Sequence, residues 1–458
     1  MMKKDNIGLF RANVAVWLGF IFIGYFFVGA YFEGAGRVDS NYPYAVLDKA
    51  PAHNPYAPVL RVTRPIDALT PYQVSPYGPG MEKELFELFI ARNNYKIRWI
   101  VTSSFDEAIA LLAANRCDLI IGCGGELAEE QKAVVAQGPV YTKFYPVMVG
   151  ASEADSTGVF FAGAISGLRY IDDRNSKELP GSNETGQFLL NPATYAILVP
   201  INDNLRVKRA LSEPVGHRWF WRDQDYDFRL GMLEFWQDEE IKASVNEMCE
   251  RYYGFIPKVP KHGALRELSS VVSSRLGIYS GYIMEAATAN DLDPLLLAAV
   301  IFQESRFNPG AVSDTGVRGI MQLTTDTAGM LNVDRLDPEQ SIMGGARYLR
   351  FIWDSLEGFE LTEWDRWCFT LAGFNQGPTI MRKALRTAQS MKIGVNWPQV
   401  RALYPRLLDM GIAGSGFRGN EAVTYVENVR YYYYVLSGLA AIARPEHKNL
   451  AAFLSAGA

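Results

Sequence analysis

The chain has 458 residues, which is enough for two or three domains. Its apolar content of 48% and charged content of 21% are ordinary for a globular protein, and a formal net charge of −5 argues against a nucleic-acid partner. The four cysteines are too few and too scattered for a disulfide framework, and four histidines without a CxxC pair argue against a zinc site.

The first 32 residues have the pattern of a membrane anchor or a signal segment. Two lysines and an arginine precede residues 14–32, a run of 19 residues without charge. A helix of that length spans about 28 Å, close to the hydrocarbon thickness of a bilayer, and the basic flank predicts a cytoplasmic N-terminus. A cleaved signal peptide is the alternative, since Val28, Gly29 and Ala30 form a small-residue cleavage site.

Residues 57–255 alternate between strand and helix patterns, after a linker at 33–56 that is rich in Gly, Pro, Ala and Tyr. Ser104 is a natural N-cap for one of the helices. Strands that alternate with helices predict an α/β domain built on a parallel sheet. The predicted strands are 60–65, 96–101 and 118–124, and the predicted helices are 82–94 and 104–116.

This region resembles the periplasmic solute-binding proteins that capture amino acids. The resemblance is carried by LRVTRP, GPGMEKELFELFIARNNYKIRWI, SSFDEAIALLAANRCDLIIG, QGPVYTKFYPVMVG and EFWQDEEIKASVNEMCERYYG. It implies two α/β lobes with a ligand held between them, joined by two crossing strands that we expect near residues 146–150 and 218–222. The lobe between the crossings, about 151–217, is short for the family.

The α/β region departs from this family at the position that usually grips the ligand. Relatives carry an arginine for the α-carboxylate in the loop after the DLIIG-type strand. Here that loop reads GGELAEEQKAVV, with Gln131 near the expected position. We therefore expect no ordinary amino-acid pocket, and a degenerate lobe that serves as a spacer or docking surface is the alternative to a ligand-binding module.

Residues 275–458 follow a second linker at 256–274 and have the pattern of helices without evident strands. The apolar run LLLAAVIFQ leads to Glu304 at the end of its helix, which starts at Asp293-Pro294. Burial among apolar residues raises the pKa of a carboxyl, and the negative end of a helix dipole acts in the same direction. Glu304 therefore has the surroundings of a general acid. Further helices are predicted at 342–356, 367–375 and 423–442.

The C-terminal region closely resembles the soluble-lytic-transglycosylase-like domain, a relative of goose-type lysozyme. The matching stretches, in order, are PLLLAAVIFQESRFNPGAVS, GVRGIMQL, DPEQSIMGGARYLR, LAGFNQG and EAVTYVENVRYYY. With the α/β region and the anchor, the whole chain is similar to the membrane-bound lytic murein transglycosylases of the F type. The expected fold class is therefore multidomain: an N-terminal transmembrane helix, a two-lobed α/β domain like the periplasmic binding proteins, and a mainly α lysozyme-like catalytic domain.

The resemblance implies that the enzyme cleaves the MurNAc–GlcNAc β-1,4 bond of peptidoglycan and leaves 1,6-anhydro-MurNAc ends. Glu304 would protonate the bridging oxygen, and its carboxylate would then take the proton of the C6 hydroxyl, with no metal and no organic cofactor. A hydrolase needs a second carboxylate roughly 5–10 Å away. The next acid in the sequence, Asp314, has no role in the family. A muramidase-type hydrolase and a non-catalytic peptidoglycan-binding sensor or scaffold are the alternatives.

Five further residues take substrate-binding roles from the same resemblance. Ser313 is expected to hydrogen-bond the substrate or to cap its loop. Met321 and Gln322 are expected to line the cleft, with core packing as the alternative for Met321. Asn375 is expected to orient the glycan or to fix a loop near the catalytic carboxyl, and Tyr425 is expected to point its hydroxyl at that carboxyl.

The resemblance also implies a location and partners. Anchoring by residues 14–32 would hold the enzyme in the inner membrane with its catalytic domain in the periplasm. A cleaved signal would leave it periplasmic or associated with the outer membrane. Glycan strands of peptidoglycan are the expected substrate, and stem peptides of the wall are candidate ligands for an α/β domain that modulates the enzyme.

Overall fold

A computed structural model describes residues 57–65, 75–93, 95–100, 102, 104–151, 187–201, 205–222, 226–414 and 417–442. The predicted anchor at 14–32, the linker at 33–56 and much of the predicted second lobe lie outside the described residues. Within these ranges, no helix has both the length and the apolar character that a membrane crossing requires. The chain divides between Arg266 and Glu267 into an α/β unit and a helical unit.

The α/β unit is built on a six-stranded sheet with the order β2-β1-β3-β9-β4, and β5 pairs with β9 at its side. The strands are β1 Val59–Thr63, β2 Lys96–Ile100, β3 Leu119–Gly124, β4 Val135–Gln137, β5 Thr142–Phe144 and β9 Val215–Arg222. β1 runs parallel to β2 and β3, as the alternation of strands and helices predicted. β9 runs antiparallel to β3, β4 and β5, because it returns from the second lobe.

Helices cover this sheet and bury its aromatic core. On the first helix, Leu85, Phe86 and Phe89 are buried at helical spacing, and they pack with Trp219 of β9. The second helix starts as predicted, because the Ser104 hydroxyl accepts a hydrogen bond from the Glu107 N–H at 3.2 Å. The helices are α1 Met81–Arg92, α2 Phe105–Ala113, α4 Tyr226–Gln237 and α5 Glu239–Tyr253.

A smaller antiparallel sheet forms the described part of the second lobe. It has the order β7-β6-β8, with β6 Val147–Ala151, β7 Gln187–Leu190 and β8 Leu205–Ala210, and α3 Pro192–Leu198 lies between β7 and β8 in the chain. The chain passes from the large sheet to the small one at residues 145–146 and returns at 211–214. The second crossing therefore comes before the predicted 218–222, because the aromatic residues there belong to the core of the large sheet, where Phe220 pairs with Ile120.

The helical unit begins inside the segment that was expected to be a linker. Residues 256–274 are helical from His262 onward, through α6 His262–Val271 and a π-helical turn at Val272–Leu276. Among the described residues after 267, the strand-like pairing is limited to one isolated bridge between Val312 and Arg318. The remaining helices are α7 Gly277–Ala289, α8 Pro294–Ser305, α9 Thr325–Leu331, α10 Pro338–Asp354, α11 Glu363–Gln376, α12 Pro378–Ser390, α13 Trp397–Leu403 and α14 Gly419–Ile442.

Helix α8 is the central helix of this unit. Every residue from 295 to 302 is buried, so the apolar run predicted as a buried helix is confirmed. The Asp293 carboxylate caps its start by accepting a hydrogen bond from the Leu295 N–H at 2.7 Å, and the Tyr433 hydroxyl on α14 donates to the same carboxylate. α8 packs along α14, so the C-terminal end of α8 is held beside the first turns of α14.

Candidate active site

Glu304 lies in the last turn of α8, where the chain leaves the helix abruptly. The next residues, Arg306 and Phe307, have left-handed backbone conformations, with φ values of 53° and 56°. The Ser305 hydroxyl is buried and donates a hydrogen bond of 2.7 Å to the carbonyl of Ile320. The helix end is therefore tied to the loop that carries the GIMQL stretch, and Glu304 is held between the two, partly buried.

The Glu304 carboxyl is hydrogen-bonded to Tyr425. The Tyr425 hydroxyl donates to Glu304 Oε1 at 2.6 Å, and the Tyr425 side chain is only 4% exposed. Burial raises the pKa of Glu304 to about 7, a rise that the Tyr425 hydrogen bond and the Arg306 charge oppose and the charge of Glu421 supports. At neutral pH the carboxyl is therefore present in both its protonated and its charged form.

Tyr425 remains a proton donor throughout this range. Burial and the neighbouring Glu304 carboxyl raise its pKa well above the usual value of a tyrosine. Its hydroxyl can thus stabilise the charged form of Glu304 without losing its own proton. The structure brings these two residues together as the sequence predicted.

The loop from Ala311 to Leu323 is held by its own polar side chains. The Ser313 hydroxyl accepts a hydrogen bond from the Val317 N–H at 3.0 Å and lies 3.1 Å from the Thr315 hydroxyl. The Gln322 amide donates to the carbonyls of Gly319 at 2.7 Å and Ala311 at 3.2 Å. Ser313 therefore has the loop-capping contacts of its alternative role, and its hydrogen bond to the substrate stays a prediction. The Gln322 amide N–H groups bind the loop backbone.

Met321 packs in the core and not at an accessible surface. Its side chain is fully buried, and a Cβ atom on Gly345 would lie 2.2 Å from the Met321 methyl group. The close packing of α10 on this loop leaves no exposed atom of Met321 for a ligand. The expected position in the cleft lining is thus corrected to the packing role that was the alternative.

Asn375 lies at the end of α11, beside the start of α14. Its side-chain oxygen accepts a hydrogen bond of 2.9 Å from the Gln376 amide, and the Gln376 oxygen accepts one of 3.5 Å from the Arg418 N–H. Arg418 precedes Tyr425 by seven residues on the segment that leads into α14. Asn375 and Gln376 therefore lie beside the segment that leads into α14.

Arg306 is a contributor to the site that the motifs did not indicate. Its guanidinium donates hydrogen bonds to the carbonyls of Phe302 and Gln303 in the last turn of α8, and the Phe302 carbonyl also accepts the Arg306 backbone N–H at 3.1 Å. The guanidinium carbon also lies 4.5 Å from the centre of the Phe302 ring. The signal in the sequence is a cation placed two residues after Glu304 at a helix end, where such a side chain can cap carbonyls and lower the pKa of a nearby acid.

Two further acids, Asp314 and Glu421, are more exposed than Glu304. Asp314 is exposed in the loop, and Glu421 is exposed and paired with Arg418 at 3.0 Å. Within the described ranges, no group of three or more His, Cys, Asp or Glu side chains is arranged to hold a metal ion. The arrangement therefore supplies one carboxyl with a pKa near neutrality, a tyrosine donor and a nearby cation.

Comparison with known proteins gives matches over both regions. The model of the family described as "Transglycosylase SLT domain" matches residues 281–395. A protein of Alkalilimnicola ehrlichii named membrane-bound lytic murein transglycosylase F 1 is 30% identical over 412 residues, which are 82% of this chain and 83% of that protein. A membrane-bound lytic murein transglycosylase F of Shewanella loihica is 34% identical over 271 residues, 57% of this chain and 56% of that protein.

The solved structure of holo ArgBP from T. maritima covers 42% of this chain and 90% of its own, with 19% identity and a TM-score of 0.28.

Proposed function

Because the chain belongs to the membrane-bound lytic murein transglycosylase F family, and is thus a peptidoglycan lytic transglycosylase, we propose that Glu304 serves as both its acid and its base. The enzyme is membrane-associated and acts in the periplasm, where its substrate lies. The observation that carries the proposal is the Glu304 carboxyl, with its pKa of about 7 and its hydrogen bond from Tyr425.

In the first step Glu304 supplies a proton. The bridging oxygen between MurNAc and GlcNAc is a poor leaving group until it is protonated, and a carboxyl with a pKa near 7 is still half protonated at neutral pH. As the C1–O bond breaks, Glu304 becomes a carboxylate. The Tyr425 hydroxyl at 2.6 Å and the Arg306 charge stabilise that carboxylate.

In the second step the same carboxylate acts as the base. It removes the proton of the C6 hydroxyl of MurNAc, and the C6 oxygen bonds to C1 to close a 1,6-anhydro ring. The proton gained here replaces the one given away, so Glu304 returns to its starting form and no water is consumed. One carboxyl with a pKa near the working pH suits both transfers.

The presence of one buried carboxyl with a tyrosine donor favours closure of the 1,6-anhydro ring over hydrolysis. A hydrolase of the usual type needs a second carboxylate as nucleophile or as a base for water. The exposed Asp314 and the ion-paired Glu421 are not buried or arranged like Glu304. Ser313, Gln322 and Asn375 complete the proposal as substrate-binding residues, and their hydrogen bonds within the loop and at the end of α11 hold them in place.

The substitution Glu304→Gln tests the acid directly. It removes the transferable proton and preserves the size of the side chain, so release of muropeptides from purified sacculi should fall by about 10²–10⁴-fold. The amide oxygen of the variant can still accept the Tyr425 hydrogen bond, and circular dichroism should show an unchanged fold. Activity above a few per cent of the parent enzyme would remove Glu304 from this role.

A second part of the proposal concerns the α/β domain, which we infer to modulate the enzyme by binding stem peptides. The Gln131 side chain, near the position of the usual arginine, accepts a hydrogen bond from the Ala128 N–H at 2.8 Å within its own loop. A neutral side chain engaged in its own loop offers no charge to an amino-acid carboxylate. Peptides offer more contacts than free amino acids, and a ligand that binds two states of the domain unequally would shift activity.

Calorimetry on the full chain with Glu304→Gln, and with the surface basic residues Arg382, Lys383 and Arg386 of α12 also changed to Gln, tests this part without turnover and without peptide binding by α12. Free amino acids should bind at millimolar levels or more weakly, whereas stem peptides should bind more tightly and should change the turnover of the active enzyme. Micromolar binding of a free amino acid would contradict the inference. If peptides do not bind either, the spacer interpretation is correct.

A further inference from the structure

A long stretch of the helical unit contains no acidic residue. Between Asp365 and Asp409 there are seven basic residues and no Asp or Glu, in a chain whose net charge is −5. The stretch covers α12, α13 and most of α11. Its basic residues are Arg366, Arg382, Lys383, Arg386, Lys392, Arg401 and Arg406.

Helix α12 presents three of these residues at its surface. Lys383 and Arg386 are exposed and Arg382 is partly exposed, and we call these three side chains the basic face. They lie outside the apolar row by which the helix packs inward. That row is buried and consists of Met381, Ala384, Leu385 and Ala388.

Carboxylates of the described residues do not neutralise the basic face. None of the ion pairs formed among the described residues of 267–442 includes one of its side chains, although other surface arginines of the unit are paired. Arg350, for example, lies 2.9 Å from Asp354 on its own helix. Arg382 and Arg386 instead stand four residues apart, where like charges on a helix destabilise it. The basic face therefore carries charge that does not serve the stability of the fold.

The basic face begins near the end of α11. α12 starts at Pro378, directly after the turn that follows Asn375 and Gln376. Arg382 comes four residues later, which is about 6 Å of helix rise. Gln376 in turn contacts the backbone of Arg418, on the segment that leads to Tyr425. A glycan strand that contacts Asn375 at the end of α11 would therefore lie near the start of the basic face.

We propose that the basic face binds free carboxylates of the stem peptides on the strand being cleaved, so that the enzyme favours peptide-bearing over denuded glycan. The proposal rests on the proposed function, which makes a peptide-substituted glycan the substrate. Arginine is suited to this ligand, because its planar guanidinium donates two parallel hydrogen bonds to one carboxylate. Exposed charges of this kind contribute selectivity and association rate, and salt screens both.

The test compares two substrates with the full chain. Intact sacculi carry stem peptides, and sacculi treated with an amidase provide denuded strands. The parent enzyme should cleave the peptide-bearing strands with the higher kcat/KM, and the difference should shrink as NaCl is raised. The triple substitution Arg382→Gln, Lys383→Gln and Arg386→Gln should lower kcat/KM on peptide-bearing strands on the order of tenfold and leave cleavage of denuded strands unchanged.

A matched control removes three charges elsewhere. Lys83→Gln, Lys132→Gln and Lys242→Gln remove three ion-paired surface lysines of the α/β unit, and this variant should keep the parent preference. Equal losses in both triple variants, or no change in the preference of the first, would overturn the proposal. So would loss of binding to phosphatidylglycerol vesicles with an unchanged preference, because the partner would then be a membrane surface. Failure of the parent enzyme to form anhydro ends from either substrate would instead refute the proposed function.

Discussion

Burial of Glu304 makes it a useful acid and at the same time a source of instability at high pH. Its pKa lies at about 7, compared with an ordinary value of 4.5, because burial penalises the charged form. At a pH between these two pKa values, the folded chain keeps the Glu304 proton, whereas the unfolded chain releases it. The stabilisation of the folded state by protonated Glu304 is therefore fully present below about pH 4.5 and is lost as the pH rises through 7.

Glu304→Gln should accordingly stabilise the protein in a pH-dependent way. At pH 8 the parent enzyme keeps a partly buried charge that the amide lacks, so the free energy of unfolding should rise by about 1–3 kcal/mol in the variant. At pH 4, below both pKa values, the carboxyl is mostly protonated in the folded and in the unfolded chain, and the gain should nearly vanish. Thermal unfolding of both proteins at the two pH values measures this, and an equal gain at both would show that the buried charge is not its cause.

Tyr425→Phe should change the pH profile as well as the rate. The Tyr425 hydroxyl stabilises charged Glu304, so its removal should raise the pKa of that carboxyl by about one unit. The alkaline limb of kcat/KM, where the acid form is lost, should then move to higher pH. Because the carboxylate is also the base of the second step, the maximal rate should fall on the order of tenfold. A reduced rate with an unmoved alkaline limb would indicate that Tyr425 acts only in packing.

The residues of the site were predictable to different degrees. The contact between Glu304 and Tyr425 could be predicted from motifs and from the burial of one helix, because it depends on two regular helices packed side by side. The role of Arg306 depends on a left-handed turn and on the direction of its side chain, which residue spacing does not reveal. For Met321 the motif favoured the cleft lining and left core packing as the alternative. The motif did not indicate that Gly345 would leave room for the side chain to pack inward.

At the scale of the elements, the loop between α8 and α9 depends on one glycine. Gly319 has a φ of +100°, and a Cβ there would lie 2.1 Å from the carbonyl oxygen of Arg335. A side chain therefore meets both an unfavourable backbone conformation and a backbone atom that cannot easily move. The same loop carries Gln322 and receives the hydrogen bond from Ser305, the neighbour of Glu304, so its position affects the surroundings of the Glu304 carboxyl.

Gly319→Ala should destabilise the protein by about 3 kcal/mol or more and should reduce turnover at least tenfold. Gly316→Ala is the matched control in the same loop, because Gly316 also has a positive φ, of +79°, but has open space around its Cβ position. The Gly316→Ala substitution should lower the free energy of unfolding by only about 1 kcal/mol and leave turnover nearly unchanged. Urea unfolding and muropeptide release measure the two effects, and similar results for both variants would contradict the role of the Arg335 carbonyl.

Regular elements were easier to predict than their connections. Helix α8 and strands β1 to β3 have strong local patterns, so their positions agreed within a few residues. The second crossing was placed too late, because Trp219 and Trp221 look the same in sequence whether a strand crosses between lobes or completes a core. The segment 256–274 was expected to be a linker, but it is helical from His262 onward and buries Leu265 and Leu268.

At the scale of the whole molecule, residues 14–32 should keep the mature chain in the membrane. Their length and lack of charge suit a spanning helix, and the basic flank predicts a cytoplasmic N-terminus. After an alkaline carbonate wash of the membrane fraction, the protein should remain with the membranes. Recovery in the soluble periplasmic fraction, with a new N-terminus near Tyr31, would show cleavage instead.

The central claim is that one carboxyl carries out an intramolecular transfer on murein, and the products formed in heavy-oxygen water test it most directly. Purified sacculi digested by the full chain should yield muropeptides that are lighter by one water than hydrolysis products and that carry no heavy oxygen. The same digestion with Glu304→Gln should release almost none. Reducing ends that contain heavy oxygen would show that water attacks C1, and they would contradict the single-carboxyl mechanism.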